Sequence, residues 1–256
     1  MPVPGQVANP ELLHTRDVSY QSGGDVMAAY LARPRAPGTY PGIIVIHEVV
    51  GLVEHIRDVT RRLANVGYIA LAPSLYIRVG NPDPRDMPSV FLKAGSLSDS
   101  QLLRDLEAAA VYLRAQEGAS GKVGCIGFSF GGRLALLLAS SSDKVDGAVD
   151  CWGGFITRAN PTQVTTPQRP TPVIDLVDQL HCPLLAVFGA EDQSPSPTDA
   201  AELRSRLEKT GKTATVKIFE NAGHAFFADY RPEQYREGPA FELWPQVVSF
   251  FETHLK

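Results

Sequence analysis

The sequence predicts an α/β fold in which helices cover both faces of a mainly parallel sheet. Short runs rich in apolar residues alternate along the chain with helical stretches. Most of these runs are apolar at nearly every position, as strands buried on both faces should be. The predicted strands span 26–33, 42–47, 68–72, 122–126, 145–151, 183–188 and 213–219. The first is an edge strand that pairs with the segment near Val18.

Apolar residues that recur every three or four positions predict the helices that cover this sheet. Two such stripes face the core, formed by Ile56, Val59, Leu63 and Val66 and by Leu103, Leu106, Ala110 and Leu113. A last helix carries several large apolar residues near the C-terminus, but Pro245 falls among them. This helix therefore either begins at the proline or kinks there.

Length and composition favour one domain. The 256 residues allow one large or two small domains, and 44% of them are hydrophobic, enough for a sizeable core. Segments 79–88 and 158–172 have loop composition, and strands of the same kind resume after the second. We therefore predict a single domain over 1–256, with 1–14 an irregular N-terminal arm.

Charge and targeting signals narrow the classes of partner. The chain has 24 basic and 28 acidic residues, a net charge of −4, and no run of Lys and Arg. Neither nucleic acid nor a membrane surface is therefore an expected partner. We find no secretory signal and no apolar run long enough to cross a bilayer. The sequence does not determine the oligomeric state.

Three cysteines indicate a reducing compartment. Cys125, Cys151 and Cys182 each lie within or beside an apolar run, and their number is odd. Buried thiols fit this pattern better than disulfides. We therefore expect a cytoplasmic protein.

The segment from 121 to 139, GKVGCIGFSFGGRLALLLA, contains one hydroxyl group, that of Ser129. A strand, then G-x-S-x-G, then a helix is the pattern of a nucleophile elbow. Glycines at 127 and 131 avoid clashes in so tight a turn. The turn lifts the serine above the carboxyl edge of the sheet, beside a helix N-terminus that favours developing negative charge. A serine also needs a base that takes its proton.

Two later strand ends offer the partners of Ser129. With such an elbow the acid and then the histidine follow the nucleophile, each after a later strand. Asp192 follows the predicted strand 183–188, and His224 follows the strand 213–219. His224 would accept the serine proton and Asp192 would orient the imidazole. Glu191 is a weaker substitute for Asp192.

Each of these residues also has an ordinary structural explanation. A lone G-x-S-x-G occurs often by chance, His224 alone could be a loop histidine, and Asp192 precedes a helical pattern that it could cap. Their order and their shared position at strand ends favour a catalytic interpretation over three coincidences.

With these residues identified, the chain resembles the dienelactone hydrolase family of the α/β-hydrolase fold. The resemblance runs from about Val18 to the C-terminus. Four stretches carry it: IHEVVGLVEHIRDVTRRLANVGYIALAPSLYIR from 46 to 78, GKVGCIGFSFGGR, VFGAEDQSPSP and NAGHAFF. The resemblance implies a mostly parallel sheet with helices on both faces and no lid domain. It further implies a hydrolase of compact esters or lactones that uses no metal or organic cofactor.

The resemblance also assigns further site residues. Glu48 matches a glutamate that pairs with the resting nucleophile, and the backbone N–H groups of Val49 and Phe130 match the oxyanion hole. Arg78 matches the first of two arginines that hold a substrate carboxylate. At the second position this chain has Ala228, with Arg231 nearby but not aligned.

Two further observations concern the chemistry. The stretch HEVVG lacks the second histidine of the H-E-x-x-H metal motif, so we do not expect a metal site. The family nucleophile is usually cysteine, whereas this chain has Ser129, which depends wholly on its base. Either the chain belongs to a serine esterase branch, or the serine replaces a cysteine on purpose.

Three functions follow from these expectations. The leading hypothesis is hydrolysis of small esters or lactones through Ser129, His224 and Asp192. An alternative is a dienelactone hydrolase proper, acting on a lactone that carries a carboxylate held by Arg78. A second alternative is a ligand-binding protein that keeps the fold without turnover.

Overall fold

The computed structural model describes residues 3–158 and 165–256. These residues form one eight-stranded sheet with the order β1-β2-β4-β3-β5-β6-β7-β8. The strands are β1 (Leu13–Ser22), β2 (Asp25–Pro34), β3 (Tyr40–Ile46), β4 (Ile69–Pro73), β5 (Ala119–Phe128), β6 (Gly147–Cys151), β7 (Leu184–Gly189) and β8 (Ala214–Phe219). β1 pairs antiparallel with β2, and β2 with β4, whereas the other neighbours are parallel. The mainly parallel sheet and the pairing of β2 with the segment around Val18 are confirmed. The prediction that β2 is an edge strand is wrong, because β2 also pairs with β4 and β1 forms the edge.

The described residues also form six α-helices, which cover both faces of the sheet. The helices are α1 (Glu54–Asn65), α2 (Met87–Ser96), α3 (Asp99–Arg114), α4 (Phe130–Ser141), α5 (Pro197–Thr210) and α6 (Glu237–Leu255). Apolar residues of α1 and α6 pack against one face of the sheet, and those of α3, α4 and α5 pack against the other.

The strand β3 illustrates why the central strands are apolar at almost every position. Successive side chains of a strand point to opposite faces. Ile43 and Val45 pack in the core beneath α1 and α6, and Ile44 and Ile46 in the core beneath α3 and α4. Each buried side chain of this size contributes about 1.5–3 kcal/mol to folding, so both faces of the strand stabilise the sheet.

The helix α2 was not predicted from the sequence, and the loop predicted over 79–88 ends at Asp86, so its last two residues belong to α2. Asp86 caps α2 by accepting a hydrogen bond from the Ser89 N–H at 3.2 Å, and a proline occupies the first turn. Only Val90 and Ala94 of its ten residues are buried. A helix with so narrow a buried stripe leaves almost no periodic signal in the sequence.

The proline in the last helix does not mark its start. α6 begins at Glu237 and continues through Pro245. Leu243, Trp244 and Val247 are buried on one side, whereas Pro245 is exposed. The hydrogen bond that the proline removes therefore lies on the solvent side, and the packing on both sides of it keeps the helix continuous.

The ends of the predicted loops and arm also differ from expectation. β1 begins at Leu13, so the last two residues of the predicted arm 1–14 belong to the sheet. Of the predicted loop 158–172, residues 159–164 lie outside the described residues. Within the remainder, Thr166 and Arg169 exchange two backbone hydrogen bonds of 3.0 and 2.9 Å. Arg169 therefore lies at the end of a short hydrogen-bonded turn.

Two observations concern the cysteines and the bilayer. The three cysteines are free and buried, as their apolar surroundings predict. In the described part of the chain, no helix has the length and apolar character that a membrane span requires.

Candidate active site

Ser129 lies in a strained turn between β5 and α4. Its backbone angles are φ 54° and ψ −112°, a region that non-glycine residues rarely occupy at a cost of about 1–3 kcal/mol. The turn is held because the Ser129 N–H donates to the Cys151 carbonyl at 2.9 Å and the Ser129 carbonyl accepts from the Arg133 N–H at 3.0 Å. Sheet and helix together fix the position of the serine.

The two glycines that flank the serine are required by the closeness of the backbone. A Cβ atom at Gly127 would lie 1.9 Å from the Gly131 carbonyl oxygen, and one at Gly131 would lie 2.2 Å from the Ile46 carbonyl oxygen. Both separations are far below any van der Waals contact. The spacing G-x-S-x-G is therefore a steric consequence of this turn.

Three side chains form a continuous hydrogen-bonded chain at the carboxyl edge of the sheet. The Ser129 Oγ lies 2.9 Å from Nε2 of His224, and Nδ1 of His224 lies 2.8 Å from Oδ2 of Asp192. The second oxygen of Asp192 accepts from the Ser194 N–H at 2.9 Å. Asp192 is buried and Glu191 is exposed. With the Nδ1–H of His224 donating to Asp192, the Nε2 lone pair faces the serine.

The pocket beside Ser129 has a volume of about 360 Å³. His224, Ser129 and the two residues expected to form the oxyanion hole, Val49 and Phe130, all line it. The other polar residues that line it are Glu48, Arg133, Arg169, Ser194 and Arg231. The remaining lining residues are apolar or glycine, namely Met87, Phe91, Ala94 and Gly95 of α2 and Gly154 and Phe155.

Tyr76 fixes the backbone on which Val49 lies. Its hydroxyl donates to the Val49 carbonyl at 2.6 Å, so the following peptide cannot rotate freely. Tyr76 is buried, and its ring stacks with that of Phe130. From the sequence, Tyr76 is an aromatic residue that could line the pocket, with core packing as its default place, and its bond to the Val49 carbonyl was not predicted.

His47 holds the same segment from its other side. Its Nδ1–H donates to the Glu48 carbonyl at 2.7 Å, and its Nε2 accepts from the Leu75 N–H at 3.2 Å. Complete burial lowers the pKa of His47 to about 4, so the ring is neutral and keeps one tautomer. The loop after β3 is thereby tied to the loop after β4.

Glu48 lies in the pocket and is held by residues of the His224 loop. The carboxylate is only 3% exposed. The Tyr230 hydroxyl donates to Oε2 at 2.7 Å, and the Arg231 guanidinium lies 3.7 Å from the same oxygen. The resemblance implies that Glu48 pairs with the resting nucleophile, but in this structure the Ser129 hydroxyl is bonded to His224 instead. Burial and the charge of Glu48 raise the pKa of Tyr230.

The loop that carries Tyr230 is anchored on α1. Asp229 accepts hydrogen bonds from Nδ1 of His55 at 3.1 Å and from the Arg62 guanidinium. These contacts lower the pKa of the Asp229 carboxyl, although burial opposes them. The anchor fixes the loop that begins at His224.

The structure corrects the position of Arg78. Its guanidinium makes two hydrogen bonds to Asp105, of 2.7 and 2.9 Å, and a third to Asp25 at 2.7 Å. Arg78 does not line the pocket. Asp105 is fully buried, and a buried carboxylate without a cationic partner would be strongly destabilising. Arg78 is therefore held in this ion pair, outside the side chains that line the pocket.

Another arginine, Arg169, reaches the pocket instead. Its Nη2 donates to the Ala94 carbonyl at 2.6 Å, and its guanidinium lies 5.7 Å from the centre of the Phe130 ring. The Nε atom is buried and has no partner among the described residues. Burial and the charge of Arg133 lower the pKa of Arg169. The sequence gives no signal for this residue, because it lies in a segment of loop composition.

Arg133 differs from Arg169 in having a full counter-charge. It makes two hydrogen bonds to Asp99, of 2.7 and 2.8 Å. The Arg133 and Asp99 pair is therefore neutral as a unit, and no described carboxylate forms an ion pair of this kind with Arg169. Among the described residues, Arg169 thus has no carboxylate within ion-pair distance, although the charge of Asp99 acts on it through space.

A buried carboxyl group, Asp150, lies behind the elbow. Its Oδ1 accepts from the Gly153 N–H at 2.8 Å, and within the described residues its Oδ2 has no partner. Burial raises the pKa of Asp150 to about 7. A Cβ atom at Gly132 would lie 2.5 Å from Oδ1. The carboxyl is thus packed against the first turn of α4.

The histidines and acids near HEVVG do not converge on one point. His47 bonds to backbone groups and His55 to Asp229. Within residues 3–158 and 165–256, no group of three or more His, Cys, Asp or Glu side chains is arranged to hold a metal ion.

Comparison with known proteins identifies the family of this chain. The family model described as the dienelactone hydrolase family matches residues 27–255. A protein of Salmonella typhimurium, provisionally named a carboxymethylenebutenolidase, is 35% identical over 96% of this chain and 92% of its own length. One from Escherichia coli K12 with the same provisional name is 35% identical over 92% of this chain and 86% of its own.

A solved structure supports the same family. The crystal structure of a protein from Klebsiella pneumoniae, provisionally named a dienelactone hydrolase, superimposes with a TM-score of 0.86 at 34% identity. The match covers 94% of this chain and 98% of that one. The sheet order, the elbow and the helices on both faces define an α/β-hydrolase fold. The chain belongs to the dienelactone hydrolase family, and its activity is that of a hydrolase.

Proposed function

We propose that this protein hydrolyses small carboxylic esters or lactones through Ser129 as nucleophile, His224 as general base and Asp192 as the residue that orients the imidazole. One observation carries the proposal, namely the unbroken path from Ser129 Oγ to His224 Nε2 at 2.9 Å and from His224 Nδ1 to Asp192 at 2.8 Å. A strained elbow that holds the serine at the pocket supports it.

In the first half of the reaction, Ser129 Oγ forms a bond to the carbonyl carbon while its proton passes to Nε2 of His224. The carbonyl oxygen becomes an oxyanion, which accepts hydrogen bonds from the backbone N–H groups of Val49 and Phe130. Such a donor typically contributes about 2.7–4 kcal/mol to transition-state stabilisation. The bond from the carbonyl carbon to the alcohol oxygen then breaks, and His224 gives its proton to that oxygen.

In the second half, water attacks the acyl group on Ser129 and passes a proton to His224. The second tetrahedral intermediate collapses, the serine oxygen leaves and recovers the proton, and a carboxylic acid is released. With a lactone, the alcohol and the acid remain in one molecule, so the product is a hydroxy acid.

The Ser129→Ala substitution tests this proposal. We expect the variant to lose hydrolysis of 4-nitrophenyl acetate, whereas Ser141→Ala, at the other end of α4, should keep it. A fluorophosphonate probe followed by peptide mass spectrometry should place the adduct on Ser129 at neutral pH. Undiminished hydrolysis by Ser129→Ala would overturn the proposal. Without turnover or adduct in the wild type, a ligand-binding role would stand instead.

A second candidate function is hydrolysis of an ester or lactone that carries a carboxylate. The observation that favours it is the Arg169 guanidinium in the pocket, which has no ion-pair partner among the described residues, whereas Arg78 is bonded to Asp105. Arg169→Gln should then raise KM about tenfold for mono-4-nitrophenyl glutarate and little for the neutral pentanoate ester. Arg206→Gln removes the same charge from an exposed ion pair and serves as the control. Equal effects on both esters would exclude this candidate.

A further inference from the structure

Three large apolar side chains are exposed around the mouth of the pocket. Met87 and Phe155 are each 38% exposed and Phe91 is 58% exposed. All three line the cavity that contains Ser129. Single exposed apolar residues are ordinary, but several around one cavity mark a surface that binds something apolar. We call Met87, Phe91 and Phe155 the apolar rim.

The helix α2, which carries two of these residues, is held in place by polar contacts. The Lys93 ammonium donates to the Gly80 and Asn81 carbonyls at 3.1 and 3.2 Å, and Arg169 donates to the Ala94 carbonyl. Phe91 is therefore presented to the pocket by a helix that is fixed without burying the phenyl ring itself. Leaving such a ring in water forgoes the stabilisation that burial would bring.

The same contacts indicate on which side of the reacting carbonyl the apolar rim lies. Arg169 bonds to α2 and stacks over Phe130, the residue that follows the nucleophile. Tyr230 and Arg231, which continue the His224 loop, contact Glu48 and, among the described residues, make no hydrogen bond or ion pair with α2. Because His224 must give its proton to the departing alcohol, the alcohol leaves on the His224 side. The acyl group then extends toward α2.

We propose that the apolar rim binds the acyl chain of the substrate, so that the preferred substrates are esters of apolar carboxylic acids longer than acetate. This inference rests on the proposed ester hydrolysis and assigns its substrate class. Each methylene buried against the rim should raise kcat/KM by about three- to fourfold until the chain passes Phe91. Phe91 is the residue that contributes most to this selectivity, since it is the more exposed of the two phenylalanines and more exposed than Met87.

The test compares acyl chain lengths with one leaving group. The 4-nitrophenyl esters of acetic, butyric, hexanoic and octanoic acid share their alcohol, so only acyl binding changes along the series. We expect kcat/KM to rise from acetate to hexanoate in the wild type. Phe91→Ala should lower the value for hexanoate about tenfold more than that for acetate.

Leu92→Ala is the matched control. Leu92 follows Phe91 on α2, is 76% exposed and does not line the pocket. Its loss should leave the chain-length dependence unchanged. Thermal unfolding of both variants would show that α2 still forms. A parallel series of acetate esters with longer alcohols should be insensitive to Phe91→Ala.

The outcomes separate this inference from the proposed function. The inference is wrong, and ester hydrolysis stands, if the acetate ester is hydrolysed but kcat/KM does not change with acyl chain length. The same holds if Phe91→Ala lowers kcat/KM equally for the esters of all four acids. If the alcohol series responds instead, the assignment to the acyl side is wrong. If the wild type dimerises or binds lipid vesicles and either is abolished by Phe91→Ala, the rim belongs to an interface, which overturns the inference.

A binding measurement covers the case in which no ester is turned over. Calorimetric titration of Ser129→Ala with methyl hexanoate and methyl acetate should show tighter binding of the longer ester, and a second change, Phe91→Ala, should remove the difference. Such a result without turnover in the wild type would uphold the apolar rim and overturn the proposed hydrolysis. Equal binding of the two esters would overturn the rim.

Discussion

The edge of the sheet that carries the proposed catalytic residues, here called the catalytic edge, and the wall of the pocket are built in different ways. The catalytic edge consists of Ser129, Asp192 and His224, each in the turn after a strand, where backbone geometry sets the position of the side chain. The wall consists of α2 and Arg169, whose positions depend on contacts between segments about 75 residues apart, such as the one from Arg169 to Ala94. Each side chain of the proposed triad is thus presented by a local turn, although the three meet across 95 and 32 residues of sequence, whereas the wall has no local signal of this kind.

The largest expected effect breaks the catalytic edge itself. Asp192→Asn keeps the shape of the side chain but favours the wrong tautomer of His224, so kcat for 4-nitrophenyl acetate should fall about 10⁴-fold. Glu191→Gln makes the same chemical change at the exposed neighbouring position and should leave kcat within about twofold, since surface changes are generally mild. A comparable loss in both variants would show that the acid has been misassigned.

The next effect concerns the buried carboxyl beneath the elbow. Because the pKa of Asp150 is raised to about 7 in the folded state, the folded protein binds a proton there that the unfolded chain has already lost. The stabilising contribution is fully present below about pH 4 and is lost as the pH rises through about 7. Asp150→Asn removes this titration. The free energy of unfolding of the variant minus that of the wild type should therefore rise by up to about 4 kcal/mol between pH 4 and a pH above 7.

Urea unfolding at pH 4.5, 6 and 8 measures this difference. Asp143→Asn is the control, since Lys144 holds the pKa of the exposed Asp143 below its ordinary value and the group therefore does not titrate in this range. If the stability difference between Asp150→Asn and the wild type were independent of pH, Asp150 would carry no raised pKa.

A third effect tests the sterics of the elbow. Gly131→Ala would place a Cβ 2.2 Å from the Ile46 carbonyl oxygen, so we expect a loss of about 1–3 kcal/mol in the free energy of unfolding. Gly95→Ala in α2 meets no atom within 4 Å and should instead stabilise the helix by about 0.5–1 kcal/mol. Chemical denaturation of the two variants compares an edge glycine with a wall glycine. Equal effects would contradict the steric account.

The smallest effect concerns the support of Val49. Tyr76→Phe removes the hydroxyl that donates to the Val49 carbonyl. The transition state should lose about 0.5–1.5 kcal/mol of stabilisation, so kcat/KM should fall about three- to tenfold. The hydroxyl of Tyr68 is buried without a partner in the described structure, so Tyr68→Phe serves as the control and should keep activity. A fall in KM and kcat by the same factor would contradict a role in transition-state stabilisation.

Much of the fold could be predicted because its signals are local. Strands buried on both faces are apolar throughout, and the seven predicted strands all occur with ends shifted by a few residues. The helix α2 could not be predicted, since it buries only Val90 and Ala94 and is held by polar contacts from Lys93 and Arg169. A periodic pattern predicts a helix only where packing selects its residues.

The sequence by itself determined the elbow, the order of acid and histidine, and the family. Glycine spacing and strand ends are properties of neighbouring residues, and they place the reactive groups at one edge of any parallel sheet. Only the tertiary structure decided which arginine reaches the pocket, because Arg78 and Arg169 are chemically identical. The buried Asp105 takes the first of them, while the second has no carboxylate partner among the described residues and lies beside Phe130. A charged side chain pairs with whatever the fold brings near it, and that depends on the whole molecule.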